Sequence, residues 1–271
     1  MTDILRREMA PISEEAWKQI ELQSSRILKG NLSGRKLVDF CGPHGWQFAA
    51  VNLGRLDVRS GDAGDGVGWG MHKVLPLVEI RVPFKLRIWE LDDMERGAKN
   101  PDLGALTEAA RKVAAFEEMA IYRGFDGAGI RGMLEASSHA PVPLSADRSR
   151  LTESVELALL AIQEAEIGGP FALVLGTEPY KWLMVGDPEA YPLRDRIQAL
   201  VKGGIHWSPV LEGGAVLSRR GGDFEMTVGQ DLAIGYKAHN AQEVELYYTE
   251  SFTFRVLEPA AAVELKLKAS K

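Results

Sequence analysis

Five histidines, His44, His72, His139, His206 and His239, are the side chains best suited to proton transfer or metal ligation, and they are scattered along the chain. No two stand at the i, i+4 spacing that places a pair around a metal on one helical face, so each reads as a surface or turn residue. Cys41 is the single cysteine. It has no recognisable base near it in sequence, and an intramolecular disulfide or a cysteine-rich zinc site is excluded. Ser218 and Ser251 sit in strand-like patterns, not in the strained Gly-x-Ser-x-Gly turn that exposes a hydrolase nucleophile. The strings GRKLVDFCGPHG and RRGGDFEMTVGQ lack the strand-to-helix setting and the closing Lys and Ser or Thr of a phosphate loop. The carboxylate neighbours Asp92 with Asp93, and Glu117 with Glu118, read as solvated faces. The expectation is no catalytic residue, no metal site and no required cofactor.

What remains is a set of elements that position no chemistry of their own. The chain has 271 residues, 45% hydrophobic and 26% charged, with a net charge of −6, which is ordinary globular content. No basic run of five or more residues is present, so a nucleic-acid surface is not expected. No apolar run approaches the ~20 residues that cross a bilayer, and the N-terminus has no signal-type core, so the expected location is the cytoplasm.

The longest regular element is predicted in NPDLGALTEAARKVAAFEEMAIYRGFDG, residues 100–127, with Pro101 in the first turn and Gly124 and Gly127 as the stop. Leu103, Leu106, Ala110, Val113, Phe116 or Glu117, Ala120 and Ile121 recur at steps of three and four. Glu108, Arg111, Lys112 and Glu118 fill the opposite face, so this spine helix should lie across a sheet. Upstream, Ser13 followed by Glu14 and Glu15 opens a helix to about Gly30, with Trp17, Ile20, Ile27 and Leu28 on one face. Ile4, Leu5 and Met9 ahead of it form a short arm that packs either on its own domain or on another surface. Gly42, Pro43 and Gly45 mark a turn between two strands. Residues 60–70, SGDAGDGVGWG, form the tip of a hairpin flanked by Leu53 to Arg59 and Lys73 to Val82. A hairpin with so little to bury is marginal alone, so it either lies on a neighbouring subunit or is an ordinary surface loop.

Residues 75–97 alternate as a long strand entering the spine, with Pro83 suggesting an edge or a bulge. GMLEASSHAPVPLSADRS reads as a polar linker to a second, α/β module: a helix from Leu151 to Gly168, a strand from Phe171 to Leu175, a helical turn from Pro179 to Val185 and a helix from Leu193 to Lys202. Short strands at His206 to Val210 and Ala215 to Ser218 are expected to pair. The strings RRGGDFEMTVGQDLAIGY and VELYYTESFTFRVLEPAAAVELKL return as antiparallel strands under the spine.

The strings GRKLVDFCGPHGW (34–46), LPLVEIRVPFKLRIWELDDMERG (75–97), GPFALVL (169–175), YPLRDRIQ (191–198), RGGDFEMTVGQDLAIGY (220–236) and ESFTFRVLEPAAAV (250–263) closely resemble, in order and over nearly the whole chain, the family 1 encapsulins, shell proteins once called linocin-type bacteriocins. The resemblance implies an α+β fold of the Hong Kong 97 phage major-capsid type. It assigns residues 1–49, 76–135 and 220–257 to a peripheral domain, 50–75 to an extended loop, and 136–219 with 258–271 to an axial domain. It further implies a homo-oligomeric icosahedral cage of sixty copies or a larger icosahedral multiple.

In this family the cage encloses a cargo enzyme, a ferritin-like iron oxidase or a dye-decolourising peroxidase, through the cargo's C-terminal targeting peptide. The resemblance places the peptide groove at Ile20, Ile27, Leu28, Leu32, Arg35, Asp39, Asp231, Leu232 and Ile234. Core packing competes as an account of the apolar members, and a salt bridge with Arg35 as an account of the two aspartates. It puts Gly186, Asp187, Pro188, Glu189, Ala190 and Tyr191 around a five-fold pore, where repeated acids would favour cations. Trp89 corresponds to a residue on which a flavin stacks in some members, against the alternative of a half-buried strand tryptophan. A prophage-type capsid protein enclosing DNA and a protease or bacteriocin are the competing functions. The basic interior that DNA needs is missing from the sequence.

Overall fold

The computed structural model of the chain describes residues 4–58, 66–145, 147–184 and 192–268. Helix α1 (Glu14–Asn31) starts at Ser13, whose hydroxyl accepts from the Ala16 amide at 3.2 Å, with Glu14 and Glu15 at the positive end of the helix dipole. A tight turn at Gly34–Lys36 leads into strand β1 (Asp39–Cys41), then β2 (Ala50–Val58), β3 (Gly70–Pro76), β4 (Val78–Arg87), α2 (Ile88–Glu95) and the spine helix α3 (Gly104–Tyr122). There follow β5 (Gly124–Phe125), β6 (Ile130–Arg131), α4 (Met133–Ala136), β7 (Val142–Leu144), α5 (Leu151–Glu164), β8 (Phe171–Leu175), α6 (Thr177–Trp182) and α7 (Leu193–Leu200). The chain finishes with β9 (Ile205–Trp207), β10 (Gly214–Ser218), β11 (Phe224–Val228), β12 (Ala233–His239), β13 (Glu243–Val256) and β14 (Ala262–Leu267).

Strand β13 organises the first sheet. One of its edges carries β4, from Arg87 opposite Glu243 to Val78 opposite Phe252; the other carries β12 and then β11, with β1 added parallel to β11. Pro83 lies in β4, an edge strand, where its missing N–H costs no ladder bond. α1 and α3 cover one face, and Ile20, Phe84, Leu106, Val113, Leu246 and Tyr248 form the core between them. The second sheet, in the order β7-β14-β10-β8-β9, packs on α5. Ile121 and Tyr122, at the far end of α3, reach into this second core together with Phe252 and Phe254 of β13. The spine helix therefore braces both sheets.

Several expectations are corrected. The spine is shorter than predicted: 19 residues, about 28 Å at 1.5 Å each. Pro101 stands outside it, because Asp102 accepts from the Gly104 amide at 3.0 Å and starts the helix three residues later. The Gly42 to Gly45 turn does not join two paired strands. The amides of His44 and Gly45 donate to Val228 and Gly229, which turns β2 away from the sheet. The linker is not polar throughout, since Met133 and Leu144 are fully buried and β7 pairs with β14. β9 and β10 do not pair with each other, because β8 lies between them. The helical α2 separates β4 from the spine.

The hairpin of β2 and β3 is a sheet of two strands paired with neither larger sheet. Val58, Trp69 and Met71 stand exposed on it. The N-terminal arm lies on β12, where Leu5 O accepts from the Tyr236 amide at 2.8 Å.

Candidate functional site: a charged floor beside an apolar groove

The site begins where α1 ends. Leu32 closes the helix, its amide donating to Leu28 O, and the following tight turn throws Ser33, Gly34 and Arg35 toward the spine. Gly34 is required here: a Cβ would lie 2.7 Å from Ile121 Cδ1 and 3.1 Å from Glu118 Oε1. That close approach lets the Gly34 amide donate to Glu118 at 2.6 Å, joined by the hydroxyls of Ser33 at 2.6 Å and Ser208 at 2.7 Å. Glu118 thus ties the end of α1, the spine and the loop after β9 to one carboxyl. Burial pushes its pKa up and these three donors oppose that shift. Tyr122, hydrogen-bonded to Ser33 at 2.7 Å, is held well above its ordinary value by burial and then by Glu118.

One residue along, Arg35 gathers three acids. Its Nε donates to both oxygens of Glu117 at 2.9 Å and its Nη2 to Glu117 Oε2 at 2.7 Å. Nη2 also reaches Glu250 Oε1 at 2.6 Å, and Nη1 reaches Asp231 Oδ1 at 2.7 Å. The face of Phe40 lies 5.3 Å from the guanidinium carbon. Burial alone would lower the Arg35 pKa; the hydrogen bonds and charge of Glu117, with Glu250 and Asp231, outweigh it, so the group stays charged. Glu117 and Glu250 have no exposed side-chain surface. Burial, and then the charge of Glu117, push the Glu250 pKa well above the ordinary range against the pull of Arg35. No donor among the described residues reaches its second oxygen, Oε2, and its carboxyl also hydrogen-bonds that of Glu117, a contact that needs a proton between the two acids.

Beside this floor lies a groove of about 550 Å³. Ser24, Ser25, Leu28, Lys29 and Leu32 of α1 form one wall, and Leu232, Ala233, Ile234 and Tyr248 form the other. Arg35 and Asp231 close its base, with Arg7, Glu21 and Lys36 around the rim. Arg7 is tied to Glu21 at 2.5 Å and stacks 4.1 Å over Trp17, while Lys36 donates to Lys29 O. The Tyr248 hydroxyl donates to Ser24 Oγ at 2.7 Å; burial pushes its pKa up to about 12.

Six of the nine residues named for a groove, Leu28, Leu32, Arg35, Asp231, Leu232 and Ile234, come together there. Ile20 is fully buried in the core behind the helix, and Ile27 packs against that core. Asp39 is elsewhere. Its Oδ2 accepts from the Gly222 amide at 2.6 Å, holding the Gly221–Gly222 turn, whose φ values of +85° and +82° only glycine adopts easily. Of the two aspartates, it is Asp231 that pairs with Arg35.

Trp89 is in the first turn of α2 and 73% exposed, not in a strand and not half-buried; Arg96 lies 6.0 Å from its ring centre. It offers a stacking face without an enclosing wall from its own chain. Residues 186–191, expected to ring a pore, lie outside the described residues. No cluster of His, Cys, Asp or Glu able to hold a metal occurs among the described residues.

Sequence reasoning missed Glu118 and Glu250 and left Glu117 open, as a solvated neighbour of Glu118 or as the alternative to Phe116 on the apolar face of the spine. A signal existed for Glu117, which falls four residues from both Val113 and Ile121 on the apolar face of the spine. Glu250 shares strand parity with Tyr248 and Phe252, both buried.

Over residues 1–253 the chain matches the family described as "Encapsulating protein for peroxidase". A type 1 encapsulin shell protein of Rhodospirillum rubrum is 42% identical over 272 residues, spanning 98% of this chain and 97% of that one. The crystal structure of a virus-like particle from Pyrococcus furiosus superposes with a TM-score of 0.63 at 15% identity, covering 92% of this chain and 98% of the other. Mycobacterium phage Bobi gives 0.58 at 13% identity, covering 89% and 91%. The fold is the α+β fold of tailed-phage capsids, and the chain belongs to the encapsulin family of structural shell proteins.

Proposed function

We propose that copies of this chain close into an icosahedral shell in the cytoplasm, and that the groove between α1 and β12 takes the C-terminal targeting peptide of a cargo enzyme. The observation that carries this reading is the groove itself: walls carrying Leu28, Leu32, Leu232 and Ile234 over a base where Asp231 is fixed by Arg35. An extended segment with alternate Leu or Ile side chains would fill such walls. The strand edge supports the same mode. The Tyr236 amide points outward to Leu5 O, and two-residue alternation aims the Ile234 amide the same way, beside the groove. The arm occupies one part of that edge and leaves the next for a guest.

Closure rests on the hairpin. Its exposed Val58, Trp69 and Met71 are uncovered among the described residues and would be covered by a neighbouring copy, in heterologous contacts whose rotations close. The family's description names a peroxidase, so a dye-decolourising peroxidase leads among cargoes, with a ferritin-like iron oxidase as the alternative. A flavin stacked on Trp89, and a cation-favouring pore at Asp187 and Glu189, are further parts of the reading.

The test is co-expression of this chain with green fluorescent protein ending in a Gly-, Leu- and Ile-containing tail. Hollow particles in electron micrographs that carry fluorescence only when the tail is present support the reading. Small non-hollow species, or tail-independent fluorescence, overturn it.

A further inference from the structure

We infer that Glu250 is a positioning residue for the groove: a buried, proton-bearing carboxyl that lets Arg35 hold Glu117 and Asp231 at once, so that loading of the groove is coupled to a proton. The inference deepens the peptide-groove reading and rests on it.

One guanidinium faces three acids, from the spine (Glu117), from β13 (Glu250) and from the loop before β12 (Asp231), all within 2.6 to 2.9 Å of it. These are the charged groups around Glu250; across the ladder its neighbour in β4 is Ile80, which is apolar. Two of the acids are fully buried, and two buried anions on one cation leave an uncompensated charge in a low-dielectric site. A proton on Glu250 removes that conflict. No donor among the described residues reaches Glu250 Oε2, and the hydrogen bond between its carboxyl and that of Glu117, which needs a shared proton, agrees with this state, as does the upward shift of its pKa.

Asp231 is the member that reaches the groove, its side chain 40% exposed, and among the described residues only Arg35 Nη1 and its own backbone neighbour Leu232 N hold its Oδ1. When Glu250 loses its proton, the two buried anions draw the guanidinium inward and the Nη1 contact to Asp231 weakens. The base of the groove then loses its fixed acceptor. No residue of the peptide needs to touch Glu250.

The experiment reassembles unfolded shell protein by dilution at about pH 6 and about pH 9.5, which bracket the range documented for buried glutamates. Tailed green fluorescent protein is present, and fluorescence is read per particle. Wild-type loading should fall about ten-fold at the higher pH, the change expected from one unit of proton linkage. Glu250→Gln, neutral at both values, should load equally well at both, and Glu250→Ala should form particles that load poorly at both. A merely structural role would lower particle yield without changing loading per particle. Loading by the wild type that does not depend on pH, or a Glu250→Gln variant as pH-sensitive as wild type, overturns this inference alone. Absence of wild-type loading at both pH values overturns the groove reading with it.

Discussion

Arg35 meets Glu117 in the fork geometry that an arginine alone can make, Nε to both carboxylate oxygens at 2.9 Å and Nη2 to Oε2 at 2.7 Å, with the carboxylate entirely out of solvent. Removing one member of a buried pair strands the other, at about 3–5 kcal/mol. Arg35→Ala should therefore lose that much stability in chemical denaturation of the unassembled subunit. Arg35→Lys should recover little, because an ammonium cannot repeat the fork. The double variant Arg35→Met with Glu117→Met should be far milder than either single change; equal losses in all would show that the pair carries no buried charge.

Glu250 gives a stability slope with a fixed sign. Its folded-state pKa is raised above the unfolded value, so the protonated form is favoured by folding. Below the unfolded glutamate pKa its contribution is complete, and stability is lost as pH rises toward and through the folded value. Melting of wild-type subunits should fall as pH rises above the unfolded glutamate value of about 4.3, and Glu250→Gln should flatten that fall. A parallel slope in the variant would move the titration to another group.

The Glu118 cluster joins three parts of the chain, so its members should fail together. Ser208→Ala removes one of three donors to a buried carboxyl and should cost about 1–3 kcal/mol. Gly34→Ala places a methyl group 2.7 Å from Ile121 Cδ1 and should cost more. Because Ser208 belongs to the loop after β9, hydrogen exchange in its variant should rise at both the end of α1 and that loop. Exchange confined to the loop would show that Glu118 does not couple them.

How far the sequence carried depends on the element. The α1 start at Ser13, the alternation of β4 and the isolated hairpin follow local rules of capping and periodicity, and all three are observed. The pairing of β1 with β11 spans nearly two hundred residues and follows from no local signal. The buried acids were misread for a related reason. Glu118 is solvated unless Ser33 and Ser208 arrive from 85 and 90 residues away to satisfy it, and composition cannot report that arrival. The resemblance puts Asp39 in the groove, yet β1 carries it away from Asp231 and onto the Gly222 amide.

The hairpin predicts a separation of folding from assembly. Val58 is 71% exposed and Met71 57%, so charges there remove no packing from the subunit. Val58→Asp with Met71→Asp should leave the melting of the isolated subunit unchanged and reduce particles to small species on size exclusion. Normal particles would show that these side chains stay outside every contact between copies.

Asp39 and Asp231 now make opposite predictions. Asp231→Lys sets a cation against Arg35 at the base of the groove, so particles should form and emerge empty of tailed cargo. Asp39→Ala removes the acceptor of the Gly222 amide from the turn between β10 and β11, which should cost about 1 kcal/mol and leave loading per particle unchanged. The comparison is sharp because both are acids near Arg35 in sequence or in space, and only one lines the groove. Cargo counted by quantitative mass spectrometry of purified particles decides it: an Asp39→Ala shell as empty as the Asp231→Lys shell would extend the guest's path to the far side of the turn that carries Arg35.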